Sequence, residues 1–357
     1  MLVNKSLFWF SLFFLSSFTL AQNIIPEMPE AVSNNAVAQV STEQDDYLIS
    51  FMGIGSGKTV KDVHNKVWSY RIGDKNWLER SAVPSSSLLR GRLASVAVGI
   101  KDKAYIFGGY TVADDHSEKS SPDNFTYDIV RDQYHPIATT PVPVDDAVAL
   151  VYQQQYIYIV SGWHNDGNVN LVQVYDVLKN TWQQASPFPG EPVFGHAGGI
   201  IDNKILVCDG VGIKSAVQKR RTFTSVPACY LGTISPNQIT KIDWRKIAHP
   251  TGVARYRMAA TGVKTADEFI LFAGGSDNPY NFNGIGYNDK PSNPNNDLWV
   301  YKLAQEKWHI ISNGPNTMDH RGMLNVENDS LLILGGMRMQ QRVSNRVGVI
   351  SVATLNR

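Results

Sequence analysis

Two cysteines in 357 residues, Cys208 and Cys229, are too few for a disulfide scaffold, and neither stands in the close-paired spacing of a zinc site. Charge of one sign is missing as well. The 33 basic and 32 acidic residues leave a formal net charge of +1, which gives no broad field for nucleic acid. No His/Asp/Glu spacing matches a metal site and no Ser/His/Asp grouping stands out, so neither a metal nor another cofactor is expected. Past the amino terminus no apolar run approaches the roughly 20 residues that cross a bilayer as a helix. Gly53-Ile54-Gly55-Ser56-Gly57-Lys58-Thr59 lacks the first glycine of a phosphate-binding loop, because that place is Met52, and the segment after it reads as a strand.

The first 21 residues read as a processing signal. Lys5 precedes an apolar run from Leu7 to Leu15, and Thr19-Leu20-Ala21 offers small side chains to a signal peptidase. Cleavage after Ala21 and a periplasmic or secreted protein are expected, with a retained amino-terminal anchor as the alternative. Export would permit a Cys208–Cys229 disulfide if the two lie on neighbouring strands; two buried free thiols fit the sequence equally.

What the chain has in quantity is a repeat. Arg92 to Tyr134 states it in full: an apolar strand from Leu93 to Ile100, a turn at Lys101-Asp102-Lys103, a second strand from Ala104 to Phe107, then Gly108-Gly109. A polar loop, Phe125-Thr126-Tyr127-Asp128 and Tyr134 complete it. The glycine step recurs at Gly53/Gly55, Ser161-Gly162, Asp209-Gly210, Gly274-Gly275 and Gly335-Gly336, at intervals of roughly 50 to 65 residues, near the period of kelch-type blades. A tyrosine followed seven residues later by tryptophan marks Tyr70/Trp77, Tyr175/Trp182 and Tyr301/Trp308. Glycine suits a sharp turn against a close neighbour, and the aromatics suit the wedge between adjacent sheets. The expectation is an all-β, six-bladed propeller spanning residues 22–357 as one domain. Since the last unit lacks an outer strand, the stretch that opens the mature chain, Ile24 to Pro29, is expected to supply it and close the ring.

In such a blade, residues just before the inner strand and just after the glycine step converge on one mouth. There stand Arg90, Arg92, His196, Arg255, Arg257, His320 and Arg321, then Tyr110, Trp163, His164 and Arg338. The long insertion Ser276 to Asp297, with Tyr280, Phe282 and Tyr287, projects from the same face. Arg92, Arg257 and Arg321 could hold an anionic group bidentately, or each could simply pair with a neighbouring aspartate such as Asp145, Asp146 or Asp319. Trp163, Tyr280 and Tyr287 could stack on sugar faces or pack for rigidity.

The repeat, the signal, Ile25-Pro26-Glu27-Met28-Pro29 and Gly53-Ile54-Gly55-Ser56 make the chain resemble the bacterial N-acetylneuraminate epimerases, or sialic acid mutarotases. That resemblance implies interconversion of the anomers of an acidic sugar. Arg92 and Arg321 match basic residues of that family, whereas its proton-transferring glutamate falls on Val211, beside Asp209. Under this reading Arg92, Arg257 and Arg321 hold the carboxylate, and Asp209, His196 and His164 are the acid and base candidates. The alternative is a non-catalytic glycan- or protein-binding propeller.

Overall fold

A computed structural model describes residues 25–85, 91–214, 221–327 and 329–355. The proposed signal and Arg90 lie outside the described residues. Six antiparallel sheets form the blades of a propeller. Blade one runs Ala36–Ser41, Asp46–Ile54, Val63–Arg71 and Leu78–Arg80; blade three runs Val148–Tyr152, Tyr156–Val160, Val172–Asp176 and Thr181–Gln184. Blades two, four and five repeat this order, from inner strands Val96–Ile100, Ala197–Ile201 and Ala259–Lys264. Blade six has three strands, Leu324–Val326, Ser330–Leu334 and Val347–Ser351.

The period-2 alternation of each strand puts apolar side chains on both faces of a blade, so each sheet is buried only against its neighbours. Inner strands approach so closely that a Cβ added at Gly99 would lie 1.6 Å from the Gln39 carbonyl oxygen of blade one. Gly109, at φ +84°, has the same restriction, with Ser95 Oγ where a Cβ would go.

At the rim, the aromatic pairs do what their spacing implies. Tyr70 and Trp77 have ring centroids 5.3 Å apart, Tyr127 and Tyr134 4.7 Å, Tyr175 and Trp182 5.1 Å, Tyr301 and Trp308 4.9 Å. Each second member also latches its blade to the one before. Trp182 Nε1 donates to the Ala138 carbonyl at 2.9 Å, Trp308 Nε1 to Ala248 at 2.7 Å and Tyr134 Oη to Ser81 at 2.8 Å. Trp77 Nε1 donates to Pro26 at 2.9 Å, so the amino-terminal segment stands where the end of a preceding blade would be. That segment runs beside the final blade, where Met28 N–H donates to Asn345 and Val32 N–H to Ser344, without forming a regular strand over the described residues 25–32. The ring closes through the chain's beginning, by an extended segment. In blade four, Cys208 and Cys229 are cross-strand partners and are joined as a disulfide.

Candidate functional site

Six residues, one per blade, stand immediately before or at the entry to the inner strands with positive φ: Asn34, Ala94, Asp146, Gly195, Arg257 and Asp319. Ala94 and Arg257 tolerate this conformation poorly, at a cost of roughly 1–2 kcal/mol each. A belt of main-chain hydrogen bonds holds it. Ala94 N–H donates to Asn34, Asp146 to Ala94, Gly195 to Asp146 and Arg257 to Gly195, with His320 N–H donating to Arg257. Between blades six and one the link is made by side chains, since Asn34 Nδ2 and Ser33 Oγ both donate to Asp319 Oδ2.

The belt points its side chains at the axis, where two arginines meet two aspartates. Arg257 Nη2 lies 2.5 Å from Asp146 Oδ2 and its Nη1 3.1 Å from Asp319 Oδ1. Arg321 Nε lies 2.6 Å from Asp146 Oδ1, and Arg321 Nη2 donates to Asn34 Oδ1 at 2.8 Å. All four side chains are buried. Burial raises the Asp319 carboxyl, but Arg257 and Arg321 outweigh it and hold that group below its ordinary value. The arrangement is two cations neutralised by two anions, with each aspartate shared.

This cluster separates two cavities. Beneath it the axial channel, about 240 Å³, is lined by inner strands together with His196 and Arg321. Above it opens a cleft of about 800 Å³. Its walls are hairpins that follow the glycine steps: Tyr110–Val112 with Glu118–Ser120, Trp163–His164 with Gly167–Asn168, and Val211–Ile213 with Phe223–Ser225. The blade-five insertion adds Asn278, Asn281, Phe282 and Tyr287. One wall is aromatic, with Trp163 and Phe194 5.4 Å apart and Phe223 and Tyr287 4.3 Å apart. Arg221 lies over the Trp163 ring at 5.3 Å and pairs at 2.9 Å with Asp166, whose side chain is 93% exposed.

Acids line the same cleft beside these rings, Asp145 being the bridge partner of Trp163. Asp145 is buried and accepts from Ser120 Oγ at 2.8 Å; burial and the charge of Asp146 push its carboxyl well above the ordinary value. Glu118, open to the cleft, is raised too, by desolvation first, then by Asp146 against the opposing pull of Arg257. Phenols complete the surroundings: burial raises Tyr110 well above its usual value and Tyr287 to about 12.

Of the residues singled out from the sequence, the cleft gathers Arg257, Trp163 and Tyr287. Arg321 lies one layer below, against Asp146. Tyr280 is buried behind the wall, 5.1 Å from Tyr256 and 5.3 Å from Arg257. Arg92 is elsewhere: its Nη1 donates to the carbonyls of Gly108 and Asp123 and it faces Phe125. It stands two residues before the belt position Ala94, as Arg255 stands before Arg257. Arg255 likewise bonds Asp297 and covers Trp299. Two residues of offset turn a side chain from the axis into its own blade.

Asp209 is also turned inward, accepting from Arg255 N–H at 2.8 Å and facing His249 Nε2 at 2.6 Å. With Cys229 these form a cluster of metal-ligand types. Cys229 is disulfide-bonded, and Gly252 N–H donates to His249 Nδ1 at 2.8 Å, which leaves the imidazole proton on Nε2, shared with Asp209. The cluster therefore offers a metal neither a thiolate from Cys229 nor a free ring nitrogen from His249. His196 faces the channel, with Nε2 donating to Val160 at 2.9 Å; burial lowers its value to about 4. His164 Nδ1 is 2.5 Å from the Pro143 carbonyl, outside the cleft lining. Val211 is fully buried beneath Phe194. Glu118, Asp145 and Arg221 were not singled out as site residues from sequence. The adjacent acids Asp145-Asp146 before an inner strand were the available signal.

A kelch motif is matched at residues 147–189, which is blade three. Kelch-like protein 15 of Homo sapiens is 25% identical over 125 residues, 35% of this chain, and the chain spans only about a fifth of that protein's length, 20%. N-acetylneuraminate epimerase of Pasteurella multocida is 22% identical over 376 residues, covering 92% of both proteins. N-acetylneuraminate epimerase 1 of Escherichia coli O6:H1 is 24% identical over 64% of this chain and 70% of its own. The solved structure of YjhT superposes with a TM-score of 0.68 at 16% identity, over 92% of this chain and 97% of that one, which supports the fold. Motif, blade count and full-length likeness agree: this chain is a six-bladed kelch propeller that resembles the N-acetylneuraminate epimerases from its first blade to its last.

Proposed function

We propose that the cleft binds an acidic sugar of the N-acetylneuraminate kind and interconverts its anomers. The observation that carries the reading is the cleft itself. Its volume, about 800 Å³, lies within the range of small-ligand sites, and it gathers aromatic rings and carboxyl groups in one cleft above the axis of the fold. A sugar ring stacks its C–H face on such rings and turns its hydroxyls to polar groups. Likeness to the epimerases over 92% of the chain supports this substrate class and reaction.

The charges assign the carboxylate contact differently from the sequence reading. Arg257 and Arg321 are neutralised by Asp146 and Asp319, so a substrate anion would have to displace a buried partner. Arg221 exchanges its exposed partner Asp166 at little cost, because surface ion pairs contribute only about 0–1 kcal/mol. Arg221, held over Trp163, is the proposed carboxylate contact.

The test is proton NMR of freshly dissolved N-acetylneuraminic acid, following anomer exchange with and without protein. Acceleration lost in Arg221→Ala through a higher KM supports the reading. Binding without acceleration, seen as a change in tryptophan fluorescence, would establish the second reading, a glycan-binding module, which the aromatic wall by itself could serve. We also propose export, on the basis of residues 1–21; mass spectrometry of the mature protein should find it beginning at Gln22.

A further inference from the structure

We infer that Asp145 and Glu118 are the general acid and general base of the cleft, an inference that rests on the mutarotase reading. Both line the same cleft, from neighbouring blades. Ser120, on the strand that carries Glu118, ties the two together: its Oγ accepts from Asn165 N–H at 3.1 Å and donates to Asp145 Oδ2 at 2.8 Å. With Oδ2 occupied as an acceptor, a neutral Asp145 carries its proton on Oδ1. The Glu118 carboxyl has no hydrogen bond or ion pair among the described residues and is open to the cleft.

The surroundings separate the two acids. Asp145 is buried beside Asp146, which pairs with Arg257 and Arg321. Glu118 feels Arg257 and His116 on one side and Asp146 on the other, with Tyr110 and Tyr287 as the nearby phenols. Both carboxyls are raised, and their settings differ: Asp145 is buried with one hydroxyl partner and is assigned the proton, while Glu118 opens to the cleft and is assigned the anion. Two carboxyls in different settings are what acid–base catalysis by a pair requires.

The reaction balances without any other participant. The Glu118 carboxylate takes the proton of the anomeric hydroxyl while Asp145 Oδ1 gives its proton to the ring oxygen; the ring C–O bond breaks and the anomeric carbon becomes a carbonyl. After rotation about the adjacent C–C bond, the freed hydroxyl adds to the other carbonyl face. Its proton goes to Asp145, Glu118 returns its proton to the carbonyl oxygen, and both groups are restored. Val211, where the resembled epimerases hold a glutamate, is buried and carries no proton, so the pair does from blades two and three what that position does not.

The test compares wild type with Glu118→Gln and Asp145→Asn, near-isosteric changes, by anomer-exchange NMR and by fluorescence titration with N-acetylneuraminic acid. Each variant should lose about 10²–10⁴-fold in kcat with binding retained, the range for removal of one acid or base. Ser120→Ala, which removes the orienting hydroxyl, should lower kcat less and shift the alkaline limb of the pH profile. The wild-type profile from about pH 4 to pH 9 should rise with a midpoint above the ordinary glutamate value near 4.3, and Glu118→Gln should abolish that rise. A wild type that accelerates exchange with a pH-independent rate, or variants within a few-fold of it, would overturn the pair while leaving the mutarotase reading intact. If the wild type itself gives no acceleration, the reading and the pair fall together.

Discussion

The rim and the axis of this propeller use the same repeat in opposite ways. At the rim, equivalent positions hold equivalent chemistry: Trp77, Tyr134, Trp182 and Trp308 each pack on a tyrosine and donate to a carbonyl of the preceding blade. At the axis, equivalent positions share a backbone while their side chains range from glycine to arginine. Asn34, Ala94, Asp146, Gly195, Arg257 and Asp319 adopt one left-handed conformation with six differently placed roles. A repeated backbone can be stabilised by repetition, but a ligand is asymmetric, so its site must break the repeat. The lesson is that departures among equivalent positions mark the functional face more sharply than the repeat does.

The largest effect is expected where the axis is most asymmetric. Asp146→Ala would leave Arg257 and Arg321 buried with one aspartate between them, and should cost about 3–5 kcal/mol in urea unfolding. If it costs no more than a surface change, the axial cluster contributes no stability and the contrast with the rim fails.

Acidification should discriminate next. His196 and His320 are held near 4 by burial, below the ordinary value of about 6.5. A depressed value means that the unfolded state binds protons first, so the stability these groups carry is full above about pH 6.5 and is lost as the pH falls toward 4. Unfolding midpoints between pH 7 and pH 4.5 should therefore drop, by about 2–3 kcal/mol for each histidine at the acid end, and less in His320→Asn.

At the rim, Trp182→Phe keeps the packing and removes the hydrogen bond to Ala138, for an expected cost of about 1 kcal/mol. Blade four supplies the control, because Trp244 Nε1 has no hydrogen-bond partner among the described residues although it packs on Phe188. Trp244→Phe should cost measurably less by thermal unfolding. Equal costs would mean that the latch is packing alone.

The smallest effect has the opposite sign. Asp145 has a raised value, so the stability it permits is full below the unfolded carboxylate range and declines as the pH rises through its folded value. Asp145→Asn removes that decline and should stabilise the protein by about 1 kcal/mol at neutral pH, as changes at strained functional positions do. A destabilised variant would show that this carboxyl is tied into the structure more tightly than its single Ser120 contact implies.

Much of this was legible from the residues in order. Gly108-Gly109 and its equivalents, with aromatics seven residues past a tyrosine, led to the blade count, and turn topology led to the mouth that Trp163, Tyr287 and Arg257 share. The roles of Arg92 and Asp209 were not legible. An arginine before an inner strand looks the same whether it stands at the belt or two residues earlier, and only the chain's turn decides whether it meets the axis or its own blade. Arg221 and Glu118 sit in hairpins of irregular length, where no period marks them.

Local chemistry determined the repeat, because glycine conformation, strand alternation and aromatic bulk act within one blade and need no partner to be recognised. Whether Cys208 meets Cys229, which aspartate neutralises which arginine, and how Ser120 of one blade orients Asp145 of the next were decided by tertiary structure alone. Those pairings join residues distant in sequence. Their energies depend on burial and on charges brought from other blades, neither of which exists until the ring has closed.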